Sequence, residues 1–157
     1  GNVSRYVDWM AGIGWQIVDF DESNNTLNVG NYSDPYYYLS IDHTLNRYFS
    51  HRVTTGLEAM PSSESNYLQL FFVRYSFNWL LFNDWSFGGA AFFEDGTESP
   101  GPNSEDFNRV GGTLSLNYQL TKHWLLNIYY GVLAKGSTVT FDSYNQQRFG
   151  LNVTYAF

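Results

Sequence analysis

The chain ends with the stretch RFGLNVTYAF, residues 148–157, in which every second residue is apolar. The apolar residues are Phe149, Leu151, Val153, Tyr155 and Phe157, and the residues between them are polar or small, apart from the cationic Arg148. Strict alternation places the two sets on opposite faces of an extended strand. Terminal residues of soluble domains usually fray, so a regular strand here predicts that the last residues are part of the fold.

The same alternation recurs in seven further segments, whereas helical spacing is nearly absent. The first of these is predicted to run from Val3 to Phe20, and the other six begin near Tyr37, Arg52, Phe71, Trp85, Arg109 and Trp124. Six apolar residues fall on the polar faces instead: Leu68, Leu70, Phe72, Phe92, Leu125 and Leu133. We therefore expect one all-β domain of eight strands over residues 1–157.

The connections between the predicted strands alternate in length. Compact turns are predicted at Asn46–Ser50, Trp79–Asn83 and Thr121–His123. Longer polar connections are predicted at Asp21–Asp34, Pro61–Ser65, Gly96–Asp106 and about Ser137–Ser143. This order predicts an up-and-down antiparallel meander with turns on one side and loops on the other.

Composition excludes several classes of function. Charged residues are 15% of the 157 residues, against about 25% in ordinary soluble domains, and aromatic residues are 20%. The net charge of -7 argues against a nucleic-acid partner. The absence of cysteine excludes disulfides and thiolate metal sites. No apolar run approaches about 18 residues, and no signal peptide is present, so we expect a mature or cytosolic chain without a membrane-spanning helix.

Aromatic residues are predicted to cluster at both ends of the strands. Near the compact turns these are Trp79, Trp85, Trp124, Tyr155 and Phe157, and near the long loops they are Trp15, Tyr36, Tyr37, Tyr67 and Phe93. Two such belts, with a small polar opposite face rich in Gly and Ser, are typical of a membrane barrel with a narrow interior. A soluble β-barrel or sandwich with these rings in its core is the alternative.

In its alternating strands, unequal connections and terminal NVTYAF, the chain resembles small Gram-negative outer-membrane β-barrels of the OmpA-like and OmpX-like eight-stranded group. The resemblance implies an eight-stranded antiparallel up-and-down transmembrane β-barrel with three short periplasmic turns and four outer loops. It implies localisation in a bacterial outer membrane, with lipids, lipopolysaccharide and the barrel-assembly machinery as partners. Tyr155 and Phe157 would then be the assembly signal, on a last strand that pairs with the first.

The predicted inward face carries a nearly balanced set of charges. The acids are Asp8, Asp42, Glu58 and Glu94, and the bases are Arg52, Arg74, Arg109, Lys135 and Arg148. Charges in a narrow interior are tolerated only when paired. We therefore expect a salt-bridged network that fills the barrel, and the alternative is a narrow ion path gated by one of the pairs.

Histidines and loop acids give weak evidence for chemistry. His43, His51 and His123 lie beside predicted compact turns, without a metal-ligand set of the usual type. In the resembled group, lipid A deacylases use a His-x-Ser pair, which neither His43 nor His51 matches. No catalytic residue, metal or cofactor is predicted. The predicted outer loops form an acidic rim, composed of Asp21, Glu22, Asp34, Glu64, Asp95, Glu98, Glu105, Asp106 and Asp142.

The sequence thus predicts an outer-membrane barrel with a structural or surface-interaction role and an unknown loop ligand. The alternatives are a narrow, porin-like channel or part of a larger export complex, and, less favoured, a lipid-modifying enzyme. The acidic rim is interpreted as a solvated surface, with divalent-cation bridging to lipopolysaccharide as its alternative. The oligomeric state, and whether the chain is a shortened form of a larger barrel, stay open.

Overall fold

A computed structural model describes residues 2–4, 6–19, 32–62, 67–99 and 104–156. This part of the chain forms one antiparallel sheet in which each strand lies beside its sequence neighbours. The strands are β1 (Asn2–Ser4), β2 (Val7–Val18), β3 (Tyr32–Asn46), β4 (Phe49–Pro61), β5 (Tyr67–Phe82), β6 (Trp85–Glu98), β7 (Asp106–Gln119), β8 (Trp124–Ser137) and β9 (Tyr144–Tyr155). A short 3-10 turn, Thr140–Asp142, lies between β8 and β9. Across these described ranges, no helix has the length and apolar character needed to cross a membrane.

The prediction of eight long up-and-down strands is confirmed, with β1 as a short addition. The compact connections have local causes in the sequence. The Asn46 side-chain oxygen accepts hydrogen bonds from the N–H groups of Tyr48 and Phe49, at 2.8 and 3.0 Å. The Thr121 hydroxyl oxygen likewise accepts from the N–H groups of His123 and Trp124. These side chains satisfy backbone donors that the strand ladder leaves free.

Several predicted strand boundaries are wrong. For example, β3 starts at Tyr32, inside the predicted loop Asp21–Asp34, and β5 runs to Phe82, through most of the predicted turn Trp79–Asn83. The first strand is not continuous from Val3 to Phe20, because β1 folds back and pairs Ser4 with Val7. Phe20 lies outside the described residues. The stretch 96–98, predicted as loop, belongs to β6, since the N–H of Glu98 donates to the carbonyl of Glu105 at 3.0 Å and prolongs the ladder. The β6–β7 hairpin is therefore longer than its polar sequence indicates.

The sheet is not closed. In the described part, backbone pairs link consecutive strands only, so β9 forms one edge and β1 with β2 forms the other. The predicted pairing of the last strand with the first is absent from this structure. At one end of the β2 edge, β1 takes the place of β9, because β1 pairs with Val7 and Asp8 of β2. Phe157 lies outside the described residues, and Tyr155 pairs with Trp124 of β8.

The strand residues that the structure buries lie on the polar face of the sheet, whereas large side chains of the apolar face are exposed. Cross-strand register assigns each residue to a face, because directly opposite residues point the same way. Ser40, Leu70, Phe72, Glu94 and Phe107 are all buried, and all belong to the polar face. On the apolar face, by contrast, Ile13 is 84% exposed and Phe149 is 74% exposed. This is the reverse of the arrangement that an isolated water-soluble sheet needs.

Aromatic residues on the polar face pack on glycines of the neighbouring strand. The ring of Phe72 covers Gly56, where an added Cβ would lie 2.8 Å from both the ring and a backbone oxygen. Phe92 and Phe107 cover glycines in the same way, at Gly111 and Gly96. This explains two residues, Phe72 and Phe92, that break the apolar alternation, since each ring fills the space above a residue without a side chain.

Tyr36 follows the same rule and corrects one expectation. Its ring packs on Gly14, directly opposite on β2, where an added Cβ would collide with the ring. Tyr36 therefore belongs to the polar face and is not part of an aromatic belt on the apolar face. Its even position along β3 already carried this information.

At the turn end of the polar face, neutral amides form a ladder across four strands. The Asn117 amide donates to the Ser86 hydroxyl at 3.3 Å. The Asn127 amide donates to Asn117 at 2.7 Å, and the Asn152 amide donates to Asn127 at 3.2 Å. These residues are directly opposite one another in register, so the amide ladder joins β6 to β9 without any charge.

The glycine–aromatic contacts predict a pair of contrasting substitutions. Gly56→Ala should lower the free energy of unfolding by about 1–3 kcal/mol, because the new methyl group meets both a ring and backbone. Gly12→Ala is the matched control, since an added Cβ there has nothing within 4 Å; it should be neutral or stabilising by up to about 1 kcal/mol. Urea unfolding in detergent measures both, and equal effects would contradict the packing role.

Candidate functional site

A group of charged residues on the polar face is the candidate site, and we call it the charged cluster. It consists of Arg74 on β5, Glu94 on β6, Arg109 on β7, Lys135 on β8 and Glu105, which immediately precedes β7. Register brings them together, because Glu94 is directly opposite Arg109 and Arg109 is directly opposite Lys135. Each of the strands β5 to β8 thus contributes one charged side chain to the same part of the polar face.

Glu94 bridges two arginines. Its Oε1 lies 2.9 Å from Arg74 Nη2, and its Oε2 lies 2.7 Å from Arg109 Nη2. The side chain of Glu94 is only 10% exposed, while those of Arg74 and Arg109 are 49% and 34% exposed. A carboxylate removed from water in this way needs its charge compensated, and each oxygen has its own guanidinium.

Glu105 and Lys135 form the second ion pair, with Nζ 2.6 Å from Oε1 and both side chains largely buried. Burial raises the pKa of the Glu105 carboxyl, but hydrogen bonds from Lys135 and Ser137 oppose it, together with the charges of Lys135 and Arg109. The balance holds the pKa of Glu105 below its usual value, so the carboxylate form is favoured in the folded chain.

Aromatic rings line the bases of the cluster. The guanidinium of Arg74 lies 4.3 Å from the ring centroid of Phe72. Arg109 and Lys135 lie 5.0 and 4.9 Å from the centroid of Phe107. These are cation–π distances, so a ring covers one side of each base. Because both rings pack on glycines, the packing of the sheet positions its charges.

The predicted charge network divides into separate groups. Arg74, Glu94, Arg109 and Lys135 meet in the charged cluster, whereas Arg52 and Asp42 form a pair of their own at 2.5 Å, with side chains 60% and 40% exposed. In the described part of the chain, the remaining predicted members form no ion pair: Asp8, Glu58 and Arg148. A single continuous network of all the predicted charges is therefore not what forms.

The register explains why some members are left out. Asp8 is directly opposite Asp42, so like charges face each other at that position. Arg148 is opposite Gly131, and the next positions along this row are Thr113 and Ala90. No acid lies within these positions, so Arg148 has no carboxylate to meet across the neighbouring strands.

Glu105 is a member of the site that the sequence did not predict, because its position is typical of the acidic loops. Glu105, Phe107 and Arg109 share one parity, which could have indicated their common face. Other members of the predicted acidic rim lie in strands instead, namely Asp34, Asp95, Glu98 and Asp106. Asp142 lies in the 3-10 turn, and Asp21, Glu22 and Glu64 lie outside the described residues.

Space remains on the polar face beside the charged cluster. A pocket of about 340 Å³ is lined by Arg52, Thr54, Arg74, Ser76 and Glu94, among others. The row that passes through Ser76 continues through small side chains on β6, β7 and β8. The rings and ion pairs therefore fill the polar face towards the loops, but they leave it open near its middle.

The histidines occupy two different environments. His123 lies in the turn before β8, and its Nδ1 is 3.0 Å from the carbonyl oxygen of Ala156. His43 and His51 are directly opposite each other, on the apolar face of β3 and β4. Among the residues that the structure describes, no group of three or more His, Cys, Asp or Glu side chains is placed to hold a metal ion.

Comparison of the chain with protein-family models, with curated proteins and with solved structures found no match. The site must therefore be interpreted from its own geometry. That geometry contains compensated charges, aromatic shielding and an adjoining pocket, all on one face of the sheet.

Removing the bridging carboxylate should test the cluster. Glu94→Gln leaves two guanidinium groups without their shared partner, and it should lower the free energy of unfolding by about 1–3 kcal/mol. The cost is below that of a fully buried pair because water reaches both arginines. The control is Asp42→Asn, which breaks an exposed pair and should change stability little. Equal losses in urea unfolding would argue against a special role for Glu94.

The pKa of Glu105 predicts a pH dependence. Its folded pKa is depressed below an ordinary value of about 4.3, so its stabilisation is complete above that value and is lost as pH falls through the folded pKa. The stability difference between wild type and Glu105→Gln should therefore be larger at pH 7 than at pH 3. Asp142→Asn, at an exposed acid, is the control and should have little effect at either pH. A pH-independent difference for Glu105→Gln would contradict the assignment.

Proposed function

We propose that this chain is an integral β-barrel protein of a bacterial outer membrane, with its polar face inside and its apolar face on lipid. The observation that supports this most strongly is the reversed burial, in which Glu94 and Phe72 are buried while Ile13 and Phe149 are exposed. All described strands belong to one sheet, so no second layer within that part covers the apolar face. Contact with lipid would remove this apolar surface from water, which is favourable by about 25 cal/mol of free energy per Å².

The strand dimensions support the same proposal. The long strands have 12 to 16 residues, whereas a tilted membrane-spanning strand needs about 9–11. On β2 the apolar face runs from Val7 to Ile17, which is about 33 Å of strand at ~3.3 Å per residue. A tilt of about 40° reduces this to a height of about 25 Å, the height of the apolar band in outer-membrane barrels.

Aromatic side chains stand at the ends of this apolar face. At the turn end, Trp85 stacks on Tyr118 with centroids 4.4 Å apart, and Trp124 contacts Tyr155 at 4.8 Å. At the loop end, the indole N–H of Trp15 donates to the Ser33 hydroxyl at 3.0 Å. Rings with an apolar body and a polar group suit the two membrane–water interfaces.

The proposal requires the sheet to close in the membrane. Unpaired backbone groups at the edges of β2 and β9 would cost several kcal/mol each in hydrocarbon. We therefore propose that β9 pairs with β2 on insertion and that β1 leaves the edge it occupies here. In this proposal the barrel-assembly machinery recognises Tyr155, at the end of β9, together with Phe157.

Within this class, a structural or surface-interaction role is the first candidate. The charged cluster, with Phe72 and Phe107, would fill the barrel interior towards the loops, and the loops would meet the partner. Besides the barrel-assembly machinery and the partner of the loops, the proposed partners are membrane lipids and lipopolysaccharide. A narrow channel is the second candidate, supported by the pocket beside Arg52 and Arg74. Planar-bilayer recordings separate them, since nanosiemens conductance of wild type would favour the channel.

Heat-modifiable mobility tests the barrel. A closed barrel in detergent has no free sheet edge, so the unboiled chain should resist SDS and should migrate differently from the boiled chain. Closure itself can be probed with cysteine pairs, because the chain has none of its own. Ala11→Cys on β2 is combined in turn with Gln147→Cys, Phe149→Cys, Leu151→Cys and Val153→Cys on β9. One of these pairs should form a disulfide, and that pair would identify the register between β2 and β9.

Ala11→Cys with Ala91→Cys is the matched negative control, because β6 lies four strands from β2 in the sheet. Identical migration of boiled and unboiled samples, together with solubility in the absence of detergent, would refute the membrane proposal. A heat shift without any β2–β9 cross-link would instead refute closure through these two strands.

A further inference from the structure

Two histidines face each other on the apolar face of the sheet. His43 on β3 and His51 on β4 are directly opposite in register. His43 Nδ1 lies 3.0 Å from His51 Nε2, and the ring centroids are 5.0 Å apart. Backbone pairing on both sides of these residues holds their Cα atoms in place, so the two imidazoles are held together by the sheet itself.

Aromatic rings surround this histidine pair. The ring of His51 lies 5.7 Å from that of Phe49 and 5.8 Å from that of Tyr75. Along the same row, the neighbours on β2 and β5 are Val7 and Phe77. Both histidines are half-buried and lie near the compact turn between β3 and β4, at the end of the apolar face, so a small ion with its bound water can reach the pair from the proposed membrane–water interface.

The histidine pair does not complete a polar network. His51 Nδ1 is buried and has no hydrogen-bond partner among the described residues. The acid adjacent in sequence, Asp42, points to the other face and is paired with Arg52. The two facing nitrogens are therefore what this site offers to a ligand.

We propose that His43 Nδ1 and His51 Nε2 form a binding site for a divalent transition-metal ion, with Cu²⁺ preferred over Zn²⁺. Metal–imidazole bonds are about 2.0–2.1 Å long, so a nitrogen separation of 3.0 Å corresponds to an N–metal–N angle of about 94°. This is close to the right angle of a tetragonal Cu²⁺ site. Cu²⁺ also stands above Zn²⁺ in the general order of affinity of divalent first-row metals for such ligands.

The ion would lie off the line that joins the two nitrogens, with water completing its coordination. In the metal-free pair, one imidazole N–H proton lies between the nitrogens. Metal binding replaces that hydrogen bond, and the proton moves to the other nitrogen of the same ring, so both rings stay neutral. The ligands and their contacts lie within β2 to β5, so the metal site is complete whether or not β9 pairs with β2 in a membrane.

Metal titration of the purified full chain, without a histidine tag, tests the site. Calorimetry with CuCl₂ should give one Cu²⁺ per chain, bound more tightly than Zn²⁺. His43→Asn and His51→Gln retain a side-chain amide near the nitrogen used by each histidine, but they remove the imidazole. Each variant should weaken Cu²⁺ binding at least about 100-fold, because loss of even an outer-shell partner costs about 10–100-fold. His123→Gln, in the turn before β8, is the control and should bind as wild type does.

Electron paramagnetic resonance of the wild-type chain with one equivalent of Cu²⁺ gives a test that does not rely on variants. Coupling to two imidazole nitrogens would support the site, and coupling to one or none would overturn it. Unchanged binding in both His43→Asn and His51→Gln would also overturn it, as would binding lost only in His123→Gln. Zn²⁺ bound more tightly than Cu²⁺ would refute the proposed preference for Cu²⁺.

Discussion

The contact between a glycine and an aromatic ring on the neighbouring strand is the interaction on which the polar face depends. The ring of Phe72 packs on Gly56 and the ring of Phe107 packs on Gly96, and a Cβ at either glycine would displace the ring. The bases of the charged cluster then lie over these two rings, within 5.0 Å of a centroid in each case. Packing therefore comes first, and the ion pairs of Glu94 and Glu105 are built on it. A slip of one residue in register would move every ring to the opposite face.

The strand pattern was largely predictable because alternation is a local property of the sequence. Eight long strands and three compact turns follow from it, and the turn side chains of Asn46 and Thr121 give local reasons for two of those turns. Pairing between distant strands is not a local property, so the unpaired edges of β2 and β9 and the return of β1 were not predictable. The extension of β6 to Glu98 was also missed, because polar residues at strand ends resemble loop residues.

The candidate site was predictable by residue type and face, but not by partner. Parity placed Arg74, Glu94, Arg109 and Lys135 on one face, and the structure brings them together. The choice of partner depends on register along neighbouring strands, which leaves Arg148 opposite a glycine. The histidine pair needed the same information, since His43 and His51 are separated in sequence but directly opposite in the sheet.

The amide ladder of Ser86, Asn117, Asn127 and Asn152 gives the two ends of the sheet different responses to acid. Neutral amides do not titrate in the physiological range, so these cross-strand links persist when carboxylates take up protons. The loop end of the same strands includes the Glu105–Lys135 ion pair, which is lost as pH falls through the depressed pKa of Glu105. Acid therefore removes a side-chain link between the loop ends of β7 and β8, whereas the side-chain links across the turn ends of β6 to β9 do not depend on a carboxylate charge.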